Sequence, residues 1–165
     1  MRVLVTVGSA RGGTQGLGEM VAEDLREEGF DVDLKLPRVM RRLDDYDAVV
    51  VGGALYAFRW HKDARRFVKR HATELSTRPV YFFSSGPLDD SATRKDIPPV
   101  KGVSALMRRV GARGHITFGG RLAPDAKGFP ASAMAKKNAG DWRDPKQVRD
   151  WTRTVAAELR TVTVP

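Results

Sequence analysis

The sequence predicts an α/β domain in which a parallel sheet carries helices on both of its faces. Three observations lead to that expectation. Five short apolar segments are interleaved with four segments of helical periodicity, the pattern of a parallel sheet covered on both sides. A length of 165 residues suits one domain over residues 1–165, long enough to bury a real core. The apolar fraction of 41% and the charged fraction of 30% are those of a globular chain.

Each element has its own local signal. Arg2 to Val7 is short, apolar and β-branched, and Gly8 ends it. Leu17, Met20, Val21 and Leu25 recur at helical spacing after Thr14, and Gly29 follows as a stop. Val32 to Leu36 is a half-polar strand closed by Pro37. Asp47 to Val51 is apolar on both faces and is expected to end at Gly52-Gly53. From His61 to Leu75 one helix is expected, with Ala64, Phe67, Val68 and Leu75 inward and the basic residues outward. Pro79 to Phe83 is the fourth strand, Val103 to Val110 a helix ended by Gly111, and His115 to Phe118 the fifth strand. Asp144 and Pro145 place a cap and a first-turn proline before a helix carrying Val148, Trp151, Val155 and Leu159. Two stretches, Ser84 to Lys101 and Gly119 to Arg143, are too long for plain connections.

Composition excludes several chemistries. With no cysteine there is no disulfide framework, thiolate metal site, iron–sulfur cluster or thiol nucleophile. His61 and His71 on one helix would stand about 15 Å apart along its axis, too far to share a metal, so none is expected. No apolar run approaches the roughly 20 residues that cross a bilayer, and the expectation is a soluble, cytoplasmic protein. The net charge of +9 asks for an anionic partner. Six basic residues between Arg59 and His71 face one acid, Asp63, but no nucleic-acid-binding signature accompanies them, so nucleic acid is not the expected partner.

In an open parallel sheet the ligand crevice lies beyond the carboxyl ends of the strands, where strand order reverses. The loop after the first strand, Gly8-Ser9-Ala10-Arg11-Gly12-Gly13-Thr14, can converge backbone N–H groups, two hydroxyls and a guanidinium on a phosphate. It is neither a P-loop, since Thr14 stands where lysine is required, nor a GxGxxG fingerprint. Gly53, Ala54, Leu55 and Tyr56 open a second loop with small residues followed by Tyr56, Phe58 and Trp60. Ser84, Ser85, Gly86, Pro87 and Leu88 form a third, able to meet the polar edge of a heterocycle. A phosphate cradle and two lips for a flat ring describe a mononucleotide such as FMN.

At these residues the chain resembles a known family. Ser9-x-x-Gly12-x-Thr14 is similar to the phosphate loop of flavodoxins, usually T/S-x-T-G-x-T, with Arg11 replacing a threonine. Gly53-Ala54-Leu55-Tyr56 through Trp60-His61, Phe83-Ser84 and Gly140-Asp141-Trp142-Arg143-Asp144 resemble the flavodoxin-domain branch that contains the menaquinone-dependent protoporphyrinogen oxidases.

The resemblance implies a flavodoxin-like, doubly wound sheet of strand order 2-1-3-4-5. It also implies noncovalent FMN, its phosphate held by Ser9 to Thr14 and its ring flanked by Gly53 to Tyr56 and Ser84 to Leu88. Redox chemistry would then belong to the flavin, in keeping with the lack of any catalytic triad or carboxylate pair. The implied activity is an oxidoreductase acting on a porphyrinogen or a quinone. The alternatives are a nonenzymatic electron carrier and a phosphate-ligand or nucleic-acid binding protein without flavin. The implied partner is anionic: a porphyrinogen, a quinone at a membrane surface with the protein peripheral to its inner face, or an acidic electron-transfer protein. Homodimerisation is left open.

Overall fold

A computed structural model describes residues 1–10, 12–122 and 140–162. The elements run β1 (Arg2–Gly8), α1 (Gly12–Glu27), β2 (Asp31–Lys35), a 3-10 turn (Pro37–Val39), β3 (Ala48–Tyr56), β4 (Arg59–Trp60), α2 (Lys62–Arg70) and α3 (Ala72–Leu75). They continue with β5 (Val80–Ser85), α4 (Ser91–Arg94), α5 (Lys101–Val110), β6 (Gly114–Phe118), β7 (Arg121–Leu122), β8 (Gly140–Asp141) and α6 (Pro145–Thr161). The main sheet has the order β2-β1-β3-β5-β6 with every one of these pairings parallel. This is the expected 2-1-3-4-5 order, with the two-residue β4 added as an antiparallel flap on β3.

The period of two along β1 divides the core into two layers. Val3, Val5 and Val7 pack with Leu17, Val21 and Leu25 of α1 and with Val148, Val155 and Leu159 of α6. Leu4, Val49 and Val51 face the other way, onto Phe67 and Val68 of α2 and Leu106 and Val110 of α5. Asp144 caps α6 as anticipated, its carboxylate accepting from the Lys146 N–H at 3.0 Å. Gly111 ends α5 in the left-handed conformation at φ 67°.

Thr6 shares the α2 side of β1, and its fully buried hydroxyl has no hydrogen-bond partner among the described residues. Burying an unmatched hydroxyl costs about 1–3 kcal/mol, whereas a methyl of the same shape costs nothing comparable. Thr6→Val is therefore expected to stabilise the protein by about 1 kcal/mol, read as a higher midpoint in urea at unchanged slope.

Three expectations need correction. Gly52 and Gly53 do not end the third strand, which continues to Tyr56. Both glycines lie inside the ladder because aromatic rings occupy the space a side chain would need: a Cβ on Gly52 would run into the Phe83 ring, and one on Gly53 would meet the Trp60 indole at 2.7 Å. The helix expected from His61 to Leu75 is broken at His71, whose backbone opens to φ −104°, ψ 19°. Its buried ring bonds Glu74 Oε1 at 3.0 Å and the Met40 carbonyl at 3.3 Å, fastening the loop before β3 to α3. The fourth strand does not end at Phe83: it runs from Val80 to Ser85, so Ser84 and Ser85, expected in the loop, pair within the sheet with Gly53 and Ala54.

Candidate functional site

The carboxyl ends of β1, β3 and β5 lie in register. Gly8 stands opposite Gly53, which stands opposite Ser84, and Ala54 stands opposite Ser85. The three loops singled out from sequence therefore leave the sheet side by side, at the point between β1 and β3 where the strand order reverses.

The first loop leaves β1 at Gly8, and α1 begins at Gly12. Gly8 is needed by the packing: a Cβ there would sit 2.5 Å from the Ala64 backbone nitrogen, at the start of α2. The N–H groups of Gly12, Gly13 and Thr14 begin a helix and so have no intrahelical acceptor. No acidic residue occupies that turn, and a Cβ on Gly12 would meet nothing within 4 Å. Thr14 and Gly13 are buried, while Ser9 is half-buried and Ala10 exposed. This donor set fits a phosphate: helix-start amides without an intrahelical acceptor, hydroxyl side chains and open space at Gly12. Arg11 lies outside the described residues.

The second loop is a β-hairpin. Leu55 pairs with Trp60 and Tyr56 with Arg59, leaving Ala57 and Phe58 as a two-residue turn at φ 48° and 62°. Positive φ at both central residues is the type I′ geometry that matches strand twist and normally takes Asn-Gly. Each non-glycine residue there costs roughly 1 kcal/mol. The turn projects Phe58 into solvent with 85% of its surface exposed, beside a partly exposed Tyr56. Tyr56 meets the His61 ring edge-on at 6.1 Å, and His61 Nδ1 caps α2 by accepting from the Asp63 N–H at 3.1 Å. Burial pushes the His61 pKa down, with Asp63 opposing the shift.

The third loop begins where Gly86 presses against Leu55, a Cβ on Gly86 falling 3.1 Å from that of Leu55. It is laced to the loop after β6, with the Gly86 N–H donating to the Phe118 carbonyl (3.4 Å) and the Gly120 N–H to the Pro87 carbonyl (2.8 Å). Leu88 reaches back over Gly120.

Ser84 sends its side chain elsewhere. Its hydroxyl accepts from Trp60 Nε1 at 2.8 Å and faces His115 Nε2 at 2.9 Å, forming a chain, buried at Trp60 and half-buried at His115, that ties β4, β5 and β6 together. Only the backbone of Ser84 fronts the carboxyl edge. Desolvation lowers the His115 pKa to about 4 against a weaker opposing effect of Asp96, so the ring is neutral near pH 7. A neutral Nε2 can accept the Ser84 proton, so the chain runs from the Trp60 N–H through the Ser84 hydroxyl to the His115 ring.

The segment Gly140 to Asp144 is singled out in sequence, but not its contact with the start of α1. β7 pairs with β8, and the hairpin they form packs on the start of α1. Arg143 makes a bidentate pair with Asp141 (2.9 and 2.7 Å) while its Nη1 donates to the Gly13 carbonyl at 3.3 Å. The guanidinium holds the Asp141 carboxyl below its usual range. A Cβ on Gly13 would stand 3.1 Å from that of Arg121, so the hairpin lies directly against the cradle. In sequence the segment Gly140 to Asp144 carries the family resemblance, and the i, i+2 spacing of Asp141 and Arg143 places both on one side of an extended segment.

Among the described residues, no group of three or more His, Asp or Glu is arranged to hold a metal. No described helix is long and apolar enough to cross a membrane.

A doubly wound sheet with a phosphate-type cradle after β1 and loops converging from β3 and β5 defines the flavodoxin-like class of α/β proteins. The chain belongs to the flavodoxin domain family, whose model matches residues 4–132. The protoporphyrinogen IX dehydrogenase [quinone] of Escherichia coli strain K12 is 30% identical over 86 residues, covering 51% of this chain and 48% of the relative. The match thus spans about half the length of that relative. Among solved structures, a cysteine-to-serine mutant of flavodoxin from Pseudomonas aeruginosa superposes with a TM-score of 0.65 at 14% identity, covering 97% of this chain and 99% of that one. Oxidised flavodoxin 2 from Bacillus cereus gives 0.64 at 16% identity, covering 96% and 99%. At these identities the superpositions establish the shared fold.

Proposed function

We propose that the chain binds FMN noncovalently at the carboxyl ends of β1, β3 and β5 and acts as an oxidoreductase between a porphyrinogen and a quinone. The observation that carries the reading is the row Gly8–Gly53–Ser84, which sets an acid-free helix start beside two converging loops. Ser9, Ala10, Gly12, Gly13 and Thr14 would hold the phosphate through amides and hydroxyls, with Arg11 adding charge. Ala54, Leu55 and Tyr56 on one side and Ser85 to Leu88 on the other would border the ring. When bound, FMN supplies the electron acceptor and donor that no side chain of this chain can be. The half-length match to a quinone-linked protoporphyrinogen IX dehydrogenase supports the choice of substrate pair.

The protein's own part is to bind and to shield. Trp60 fills the space beneath Gly53, and Leu55 closes on Gly86, which keeps the base of the crevice apolar. Exposed Tyr56 and Phe58 offer aromatic faces at its rim for a flat or quinonoid partner. Basic residues of α2 and the 3-10 turn attract carboxylates.

Reconstitution with FMN tests the reading. The protein should take up one flavin per chain, and anaerobic protoporphyrinogen should bleach it while a menaquinone restores it. Thr14→Val should weaken FMN at least tenfold, the scale of one hydrogen bond to a charged oxygen, and leave riboflavin binding unchanged. A chain that stays colourless in excess FMN would end the proposal. So would flavin turnover no faster than that of free FMN.

A further inference from the structure

Ten of the chain's 29 lysines and arginines fall within residues 35–43 and 56–71, against one acid, Asp63. The remainder of the chain holds 19 basic and 19 acidic residues, so these two stretches account for the whole charge of +9. The fold brings them onto one face. Arg38 of the 3-10 turn pairs with Asp63 of α2 at 3.5 Å, Arg70 donates to the Pro37 carbonyl at 3.1 Å, and His71 bonds the Met40 carbonyl.

The exposed large apolar side chains follow the same division. Among the described residues they are Met1, Leu36, Val39, Tyr56 and Phe58, and all but Met1 belong to these two stretches. Val39 is 60% exposed and Leu36 49%, both at the carboxyl end of β2. Phe58 is pushed outward by a turn that holds two L-residues at positive φ. The protruding apolar groups therefore stand beside the basic 3-10 turn and α2, with Phe58 on the hairpin that ends β3.

We propose that this face docks the protein on an anionic lipid surface. Phe58, Leu36 and Val39 enter the headgroup boundary, and the surrounding arginines and lysines pair with lipid phosphates. Clusters of about four to eight basic residues beside apolar anchors are what anionic bilayers recognise. Duplex nucleic acid would reward the charge but has no use for Leu36 and Val39 at separate projecting points. An acidic protein would call for a flat, mutually fitted apolar centre rather than isolated projections. The inference deepens the proposed function, on which it rests for its purpose, by naming where a membrane-dissolved quinone would be met.

The test is co-sedimentation of the full chain with vesicles. Phosphatidylcholine vesicles containing about one third phosphatidylglycerol should bind it at about 0.1 M salt and release it at about 0.5 M, while pure phosphatidylcholine should not. Phe58→Ser should weaken binding about tenfold with an unchanged melting temperature, and adding Val39→Ser should weaken it further. Equal binding to neutral vesicles, or full binding by Phe58→Ser, would overturn the proposal. Duplex DNA that binds as tightly as the anionic vesicles, with Phe58→Ser indifferent to both, would assign the face to nucleic acid instead. Flavin content of the same samples keeps the two readings apart. Vesicle binding by a protein that cannot take up FMN overturns only the cofactor, and flavin without vesicle binding overturns only the docking.

Discussion

Gly52→Ala is expected to destabilise the protein by about 3 kcal/mol, lowering its melting temperature by roughly 10 °C. Gly52 lies in the middle of the sheet, with its pairing partner Val7 on β1 and Phe83 on β5. A methyl at this position would run into Cζ and both Cε atoms of Phe83. The ring has little room to yield, because Phe118 stands 5.6 Å and Trp151 6.2 Å from its centre in the α1–α6 layer. Shortening the intruder should relieve the clash. Phe83→Leu alone is expected to cost about 1 kcal/mol, yet the double variant should be more stable than Gly52→Ala. Strictly additive losses in the cycle would show that the ring and the glycine do not compete for the same space.

Stability should fall steeply as pH drops from about 6.5 to about 4, by an amount of the order of 2 kcal/mol that traces to His115. In the folded chain, desolvation lowers its pKa to about 4, while an unfolded histidine titrates near 6.5. Between those values the unfolded state binds the extra proton, so acid favours unfolding. The contribution is fully present above 6.5 and gone below 4. Protonation also removes the acceptor that Ser84 uses at Nε2, which loosens the chain to Trp60. His115→Gln should be less stable at pH 7 and flatter across this window. Glu74 and Asp33, both held below their usual range by hydrogen bonds from His71 and Tyr46, add a separate loss at lower pH. Denaturation curves of the two proteins that run parallel from pH 7 to 4 would exclude His115 as the source.

Much of the fold could be read in the chain because its signals are local. Valine-rich β1 and β3, Gly29 and Gly111 after helices, and the Asp144-Pro145 cap each act within a few residues of themselves. The errors arose where a distant partner overrode the local preference. Gly52-Gly53 reads as a strand end until Phe83 and Trp60 are seen to occupy the missing side chains' places. His71 sits within a helical pattern, and only contact with Met40, far back in sequence, draws it out.

The candidate site shows the same division. The glycine-rich loop and its two companions carry recognisable residue types, so their positions at the sheet's carboxyl edge could be anticipated. The orientation of Ser84 could not, since it depends on an indole from β4 and an imidazole from β6. Nor could the clasp of Arg143 on Gly13, which joins residues 130 positions apart.

The even balance of charge outside residues 35–43 and 56–71 has a mechanical consequence. With the surplus gathered along the 3-10 turn and α2, that side is the molecule's site of net attraction for an anion. Approaching any negative plane, it experiences a torque as well as a pull, felt once the separation shrinks to about one Debye length of roughly 8 Å. The protein would arrive already turned, with the 3-10 turn and α2 forward. Orientation, which usually limits productive encounter, would then be settled before contact.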